Sequence, residues 1–261
     1  ANCTGCLPGL PTCRGCRVRP GLLTMQWLAS VIFTSYLFVW TPLYGLFYMA
    51  ASLFLSFHGR YKLARFWARS ILGGLKLICR LDCRVEGMEN IPPEPGVFFM
   101  KHSSAWETIA QMALLPPLVW VMKREVLRIP IVGWCCQLAG SVAIDRKSGS
   151  TAVTQILAQG KERFERGAWV MVFPEGTRLP FGETRKYGVS GALLAVECNK
   201  LIVPIAHNAG YFWGRRSLIK KPGTITVRIG PPIQTAGREP REINADAQTW
   251  IEANVISTKL G

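Results

Sequence analysis

"VFFMKHSSAWETIAQMALLPP", residues 97–117, is the stretch from which the rest of the chain can be read. Four consecutive apolar residues, Val97–Met100, run into a short polar turn. Apolar residues at helical spacing follow, closed by Pro116 and Pro117. A wholly apolar run of this length beside a turn fits a strand buried on both faces, and such strands alternate with helices in α/β sheets. Histidine is scarce, with only His58, His102 and His207 in the chain. One of the three stands where this strand ends, five residues ahead of Glu107.

The same alternation continues outward. "CRVEG" (83–87), "LVWVMK" (118–123), "GSVAID" (140–145), "WVMVFPEG" (169–176), "LIVPIAHNA" (201–209) and "GTITVRIGPPI" (223–233) read as strands. "STAVTQILAQGKERFERG" (150–167), "VSGALLAVECN" (189–199) and the last twenty residues read as helices. The expected fold is α/β: one catalytic domain over residues 59–261, with a central mixed, largely parallel sheet flanked by helices. A membrane-embedded helical segment is expected to precede it.

Lysine and arginine number 31 against 16 acidic residues, a formal charge of +15. Such an excess suits nucleic acid, anionic lipid or a phosphorylated substrate. The charge is dispersed and no aromatic–basic module accompanies it, which argues against nucleic acid. Residues 22–57 carry no charge at all, whereas a helix crossing the hydrocarbon core needs only about 20 apolar residues. The stretch is too long and too aromatic for a secretory signal. Pro42 lies near its middle, and basic residues flank it on both sides: Arg14, Arg17 and Arg19 before, Arg60, Lys62, Arg65 and Arg69 after. Residues 25–58 are therefore expected to form a membrane helical hairpin or a span kinked at Pro42. Equal positive flanks favour the hairpin, with residues near 19 and 62 on the same cytosolic side. Residues 59–81, "GRYKLARFWARSILGGLKLICRL", read as a basic amphipathic helix lying on anionic lipid.

At the N-terminus, "CTGCLPGLPTCRGC" holds two C-x-x-C pairs, Cys3/Cys6 and Cys13/Cys16. Zinc sites use such pairs, but the six-residue gap is short for a zinc module, and residues 1–24 read as a dispensable or over-extended start. Cys79, Cys83, Cys135, Cys136 and Cys198 lie in apolar surroundings and read as reduced core residues.

Two stretches carry chemistry. If β-structure ends at Lys101 and a helix begins near Glu107, the turn between brings His102 and Glu107 together. A carboxylate on one imidazole nitrogen leaves the other as a general base. The competing reading is a capping histidine and an unrelated first-turn glutamate, which the helix dipole favours anyway. The second stretch is "VFPEGTR", residues 172–178, where a strand breaks at Pro174. Arg178 offers a fork suited to phosphate, and Glu175 stands ready either for a substrate hydroxyl or to lock that arginine. Ser103 and Ser104 read as turn formers rather than nucleophiles, and "YGVSGA" around Ser190 lacks the G-x-S-x-G elbow. His207 reads as a structural strand end near the site, and His58 carries no assigned chemistry.

Together these blocks resemble the glycerolipid acyltransferases, specifically the 1-acyl-glycerol-3-phosphate (lysophosphatidate) acyltransferases. "MKREVLRIPIVGWCCQLAGSVAIDR" is similar to the family's second motif, with Lys123, Arg124, Glu125, Pro130, Gly133, Asp145 and Arg146 in place. "LIVPIAHNAG" resembles the fourth, with Pro204. The resemblance implies transfer of an acyl group from acyl-CoA or acyl carrier protein to lysophosphatidate at a membrane, without metal or cofactor. It implies His102 as base and Glu107 as its orienting acid. Lys123, Arg124 and Arg178 would hold the acceptor phosphate, and Glu175, Gly176 and Thr177 would shape the glycerol-phosphate site. Pro204 would serve the acyl donor. One residue departs: the family's first motif normally ends in aspartate, and this chain has Glu107. The alternatives are acylation of another acceptor such as glycerol 3-phosphate, a non-enzymatic basic membrane-binding protein, or a serine esterase.

Overall fold

The computed structural model of the chain describes residues 20–144 and 150–257. The N-terminal cysteine pairs, Asp145 and Arg146 lie outside the described residues.

The apolar segment forms one helix, α1 (Pro20–Ser52), with Pro42 inside it. At 1.5 Å per residue this 33-residue helix is roughly 50 Å long, well beyond the ~30 Å of a hydrocarbon core. The chain turns at residues 53–56, where Ser56 Oγ accepts the Gly59 N–H and starts α2 (Phe57–Cys79). α2 runs back along α1: Tyr44 OH donates to Leu63 O at 2.9 Å, Trp40 Nε1 to Ser70 Oγ at 2.8 Å, and Cys79 Sγ to Ala29 O at 3.6 Å. A hairpin is therefore present, but its return leg is the basic helix rather than the second half of the apolar segment.

One face of α2, comprising Tyr61, Ala68, Ile71, Leu75 and Cys79, is buried. Two of the arginines expected at a lipid surface are occupied by protein. Arg65 Nη2 donates to Leu115 O at 2.5 Å, and Arg60 Nη1 donates to Leu138 O at 2.8 Å. Both carbonyls end helices, where orphan acceptors and the dipole attract cations.

From Arg80, which closes α2 in the left-handed conformation, the chain enters β1 (Leu81–Glu86) and then β2 (Val97–Met100). α3 (Trp106–Leu114) and β3 (Leu118–Lys123) follow, then α4 (Val132–Leu138) and β4 (Val142–Ile144). After α5 (Ser150–Glu165) come β5 (Trp169–Val172), α6 (Ser190–Glu197) and β6 (Ile202–His207). The short α7 (Ala209–Phe212), β7 (Gly223–Ile229) and α8 (Pro240–Ser257) complete the fold. α4 lies in a stretch read only as a motif. Gly133 is required there, since a Cβ would stand 2.5 Å from the Val126 and Leu127 carbonyl oxygens.

The seven strands form one sheet in the order β1-β7-β6-β2-β5-β3-β4. Every pairing is parallel except β6 with β7. β2 lies at the centre, with Val97 beside Val170 of β5 and Ile202 of β6. All four of its residues are buried, and Phe98 stacks on Trp169 with ring centroids 4.2 Å apart. Burial on both faces is what the unbroken apolar runs encode. β2, β3, β5 and β6 run in one direction, so His102, Lys123, Glu175 and His207 all stand at the same edge. In open α/β sheets, ligands collect at the carboxyl ends of parallel strands.

Candidate active site

The turn after β2 brings His102 and Glu107 into contact. His102 Nδ1 lies 3.0 Å from Glu107 Oε1, and the same oxygen accepts the Ser103 and Ser104 N–H groups at 2.9 and 2.8 Å. Ser104 Oγ in turn accepts the Trp106 N–H at 3.1 Å. This is the reciprocal pattern of a capping box, set at the start of α3. The capping contact of Glu107 and its contact with His102 thus fall on one atom.

Glu107 is completely buried. Burial by itself would raise its pKa. The His102 hydrogen bond, the adjacent imidazoles and the Ser104 N–H outweigh that effect and hold the carboxyl below the usual range. An ionised Glu107 fixes the proton of His102 on Nδ1 and leaves Nε2 with its lone pair. The imidazole stacks on Phe173 at 4.0 Å between centroids and keeps 14% of its side chain exposed, toward a cavity.

His207 is also fully buried. Its Nε2–H donates to the Lys101 carbonyl at 2.8 Å and its Nδ1 accepts the Ala209 N–H at 3.2 Å. Both nitrogens are used as a neutral ring uses them, and burial lowers the pKa in the same sense. His207 therefore braces the peptide just before His102.

The second brace was missed by sequence reasoning. Lys101 is 1% exposed, and its Nζ donates to Glu175 Oε1 at 2.6 Å, to Glu252 Oε1 of α8 at 2.8 Å and to the Glu183 carbonyl at 2.8 Å. Glu175 Oε2 accepts the His102 N–H at 2.7 Å. Burial raises the Glu175 pKa, and Lys101 and the His102 N–H oppose that rise. Both Glu175 oxygens are committed to the protein, and its side chain does not line the cavity. The structure thus gives it a positioning geometry instead of the expected substrate contact. The available sequence signal was a lysine prolonging an otherwise buried strand, which demands a buried counter-charge.

The cavity has a volume of about 580 Å³. Its polar wall carries His102, Lys123, Thr177 and Arg178, with Arg215 and Arg216 from the connection after α7. The Arg178 Nε is buried without a hydrogen-bond partner among the described residues. Gly176 lines the same wall with φ 71°, a conformation suited to glycine. The remaining wall is apolar and comes from α1, α2, α3 and α4, including Gly45, Trp67, Met112 and Cys135. Arg124 and Pro204 are outside it. Arg124 is exposed in a 3₁₀ turn, while Pro204 is buried inside β6, in register with Phe99. Ser103 and Ser104 are buried away from the cavity, so neither is placed as a nucleophile.

The profile of the Acyltransferase family matches residues 82–208. A 1-acyl-sn-glycerol-3-phosphate acyltransferase of Pseudomonas aeruginosa is 39% identical over 87% of this chain and 90% of that protein. The mouse enzyme described as 1-acyl-sn-glycerol-3-phosphate acyltransferase alpha is 30% identical over 69% of this chain and 65% of that protein. The crystal structure of the Thermotoga maritima 1-acyl-sn-glycerophosphate acyltransferase shares the fold, with a TM-score of 0.77 at 20% identity over 92% of this chain and 98% of that one. The chain belongs to the acyltransferase family.

Two outcomes test the braces. Glu107→Gln should lower kcat on the order of 10³-fold or more, because the amide no longer stabilises the imidazolium, while Glu107→Asp should retain part of the activity. Full activity in the amide variant would exclude the orienting role. Lys101→Met should cost about 3–5 kcal/mol by leaving two carboxylates facing each other in the interior. Thermal unfolding should show part of that loss recovered in Lys101→Met/Glu175→Gln.

Proposed function

We infer that the chain transfers a fatty acyl group to the free hydroxyl of 1-acyl-glycerol 3-phosphate, giving phosphatidate, with acyl-CoA or acyl carrier protein as donor. The carrying observation is that the His102–Glu107 pair and the unpartnered Arg178 face the same cavity. His102 Nε2 takes the hydroxyl proton as that oxygen attacks the thioester carbonyl. The C–S bond then breaks, and the proton passes to the departing thiolate. Arg178 and Lys123 take the acceptor phosphate, and Thr177 and Gly176 flank the glycerol. The apolar wall between α1 and α4 receives an acyl chain. The shared cavity lining of His102, Lys123, Thr177 and Arg178 supports this reading, as do the named activities of the Pseudomonas aeruginosa and mouse relatives.

The membrane reading rests on α1. It is the one helix among the described residues long and apolar enough to cross a bilayer. Phe38, Val39, Leu43, Leu46 and Phe47 are exposed along it, and Leu53 and Phe54 at the tip are 77% and 88% exposed. α2 covers the other side, and its exposed Lys62 lies beside the half of α1 that carries Tyr44. Hydrocarbon therefore cannot surround that half of α1. We place the hairpin along the cytosolic face of the bilayer, with the outer side of α1 sunk into it.

Two experiments test these readings. Purified chain given palmitoyl-CoA should acylate lysophosphatidate in preference to glycerol 3-phosphate or zwitterionic lysolipids, and His102→Ala should abolish turnover with an unchanged far-UV spectrum. Turnover in His102→Ala equal to the parent would remove the base. In sealed vesicles, cysteines placed at Lys62 and Lys76, near opposite ends of α2, should both react with an impermeant maleimide from the cytosolic side. Labelling from opposite sides would show that the hairpin spans.

A further inference from the structure

The cavity carries more positive charge than its acceptor requires. A phosphate monoester brings about 1.5 to 2 negative charges at neutral pH, and Lys123 with Arg178 already offers two positive ones. Arg215 and Arg216 line the same cavity, both exposed and neither engaged by a side-chain contact among the described residues.

The two pairs belong to different connections at the same edge of the sheet. β2, which leads into His102, lies between β5 and β6 in the sheet. Lys123 ends β3, and Arg178 follows β5 in a segment that passes the end of β2, where the Leu179 N–H donates to His102 O at 2.9 Å. Arg215 and Arg216 belong to the connection that follows β6.

That connection is held in place. Lys220, 2% exposed, sets its Nζ on Thr34 Oγ1 of α1 and over the rings of Trp213 and Phe33, at 4.8 and 5.4 Å from their centroids. Its backbone N–H donates to Ser30 Oγ at 3.0 Å, and Gln26 Nε2 donates to its carbonyl at 3.2 Å. The Ser217 N–H closes a turn on Gly214 O at 3.1 Å. Within that turn Arg216 adopts φ 57°, uncommon for a residue with a Cβ. The connection that carries the arginine pair is thus tied to α1 through Lys220.

We propose that Arg215 and Arg216 bind phosphate groups of the acyl donor, in the same cavity as the Lys123–Arg178 pair but separately from the phosphate of the acceptor. This rests on the acyl-transfer reading above. A reaction between two phosphorylated substrates at one base must bring in two anionic headgroups without superposing them, and two cation pairs on different connections lining one cavity supply separate seats. Thioester donors carry phosphate on the pantetheine arm, whether the arm belongs to coenzyme A or to a carrier protein. Guanidinium forks match such phosphates. The donor's headgroup is water-soluble, which fits the exposed pair. The lipid acceptor fits the half-buried Arg178.

The test is the double variant Arg215→Ala/Arg216→Ala in the full chain, both positions being exposed. Steady-state kinetics would use palmitoyl-CoA, palmitoyl–acyl carrier protein and palmitoyl-pantetheine, which has no phosphate. The KM for a phosphorylated donor should rise about tenfold or more, the loss of one charge-assisted contact, while the KM for lysophosphatidate holds. With palmitoyl-pantetheine the variant and the parent should become equal. Whichever phosphorylated donor shows the larger rise identifies the source of the phosphate. A rise in the acceptor KM alone, or no change in either, overturns the proposal. Failure of the parent reading is separately visible, because the unmutated chain would then form no phosphatidate with any donor.

Discussion

Glu107 Oε1 accepts hydrogens from His102 Nδ1, Ser103 N and Ser104 N, all within 3.0 Å, and the cavity edge of the sheet is arranged around that buried oxygen. Two of the three donors are backbone groups at the start of α3, which would otherwise lack partners. Desolvating a carboxylate costs several kcal/mol, offset here by donors that the fold must satisfy anyway. Capping the helix and orienting the His102 imidazole are consequently one requirement. A change that frees the imidazole also frays α3, and one that shifts α3 misdirects the imidazole.

Around this centre the neighbouring peptides are held twice more. Successive side chains of an extended segment point to opposite faces, so Lys101 and His102 leave the end of β2 in opposite directions. His102 turns to the cavity. Lys101 turns into the interior, where Glu175 and Glu252 meet its charge. Glu175 joins the two faces, bonding the Lys101 ammonium with one oxygen and the His102 N–H with the other. His207 holds the Lys101 carbonyl. The C-terminal helix α8, distant in sequence from His102, contributes through Glu252 to where that imidazole stands. A buried pair of this kind is weak evidence for stability, but breaking it leaves an uncompensated charge. Its effect is to fix one arrangement.

Much of this was legible in the sequence, for identifiable reasons. Apolar runs such as Val97–Met100 revealed buried parallel strands, because period and burial are local properties. The turn at residues 101–106 put His102 and Glu107 in reach for the same reason. What was not legible depends on partners distant along the chain. Nothing in "VFPEGTR" shows that Glu175 turns inward to Lys101 while Arg178 stays in the cavity, since both lie on one turn. Nothing near Glu252 points to a residue 151 positions away. Pro204 sits inside β6, where register with Phe99 decides its surroundings. The basic spacing of α2 correctly marked an amphipathic helix, but not that Arg60 and Arg65 would close the ends of α4 and α3. Charge pattern shows which face is polar; what meets that face is a tertiary fact.

The glutamate at position 107, where the resemblance leads one to expect aspartate, becomes intelligible in this geometry. An added methylene displaces a carboxylate by roughly 1.5 Å if the backbone stays fixed, enough to spoil an orienting contact. Here the backbone is not indifferent. The Ser103 and Ser104 N–H groups converge on Oε1, and a capping box takes glutamate because its length suits the backward reach to the turn. The turn and the longer side chain therefore fit each other, and His102 Nδ1 is met at 3.0 Å. The other oxygen, Oε2, lies 3.9 Å from His207 Nε2 and has no hydrogen-bond partner. All the orienting capacity of the carboxylate thus falls on one oxygen, and shortening the side chain would require the serine turn to close up after it.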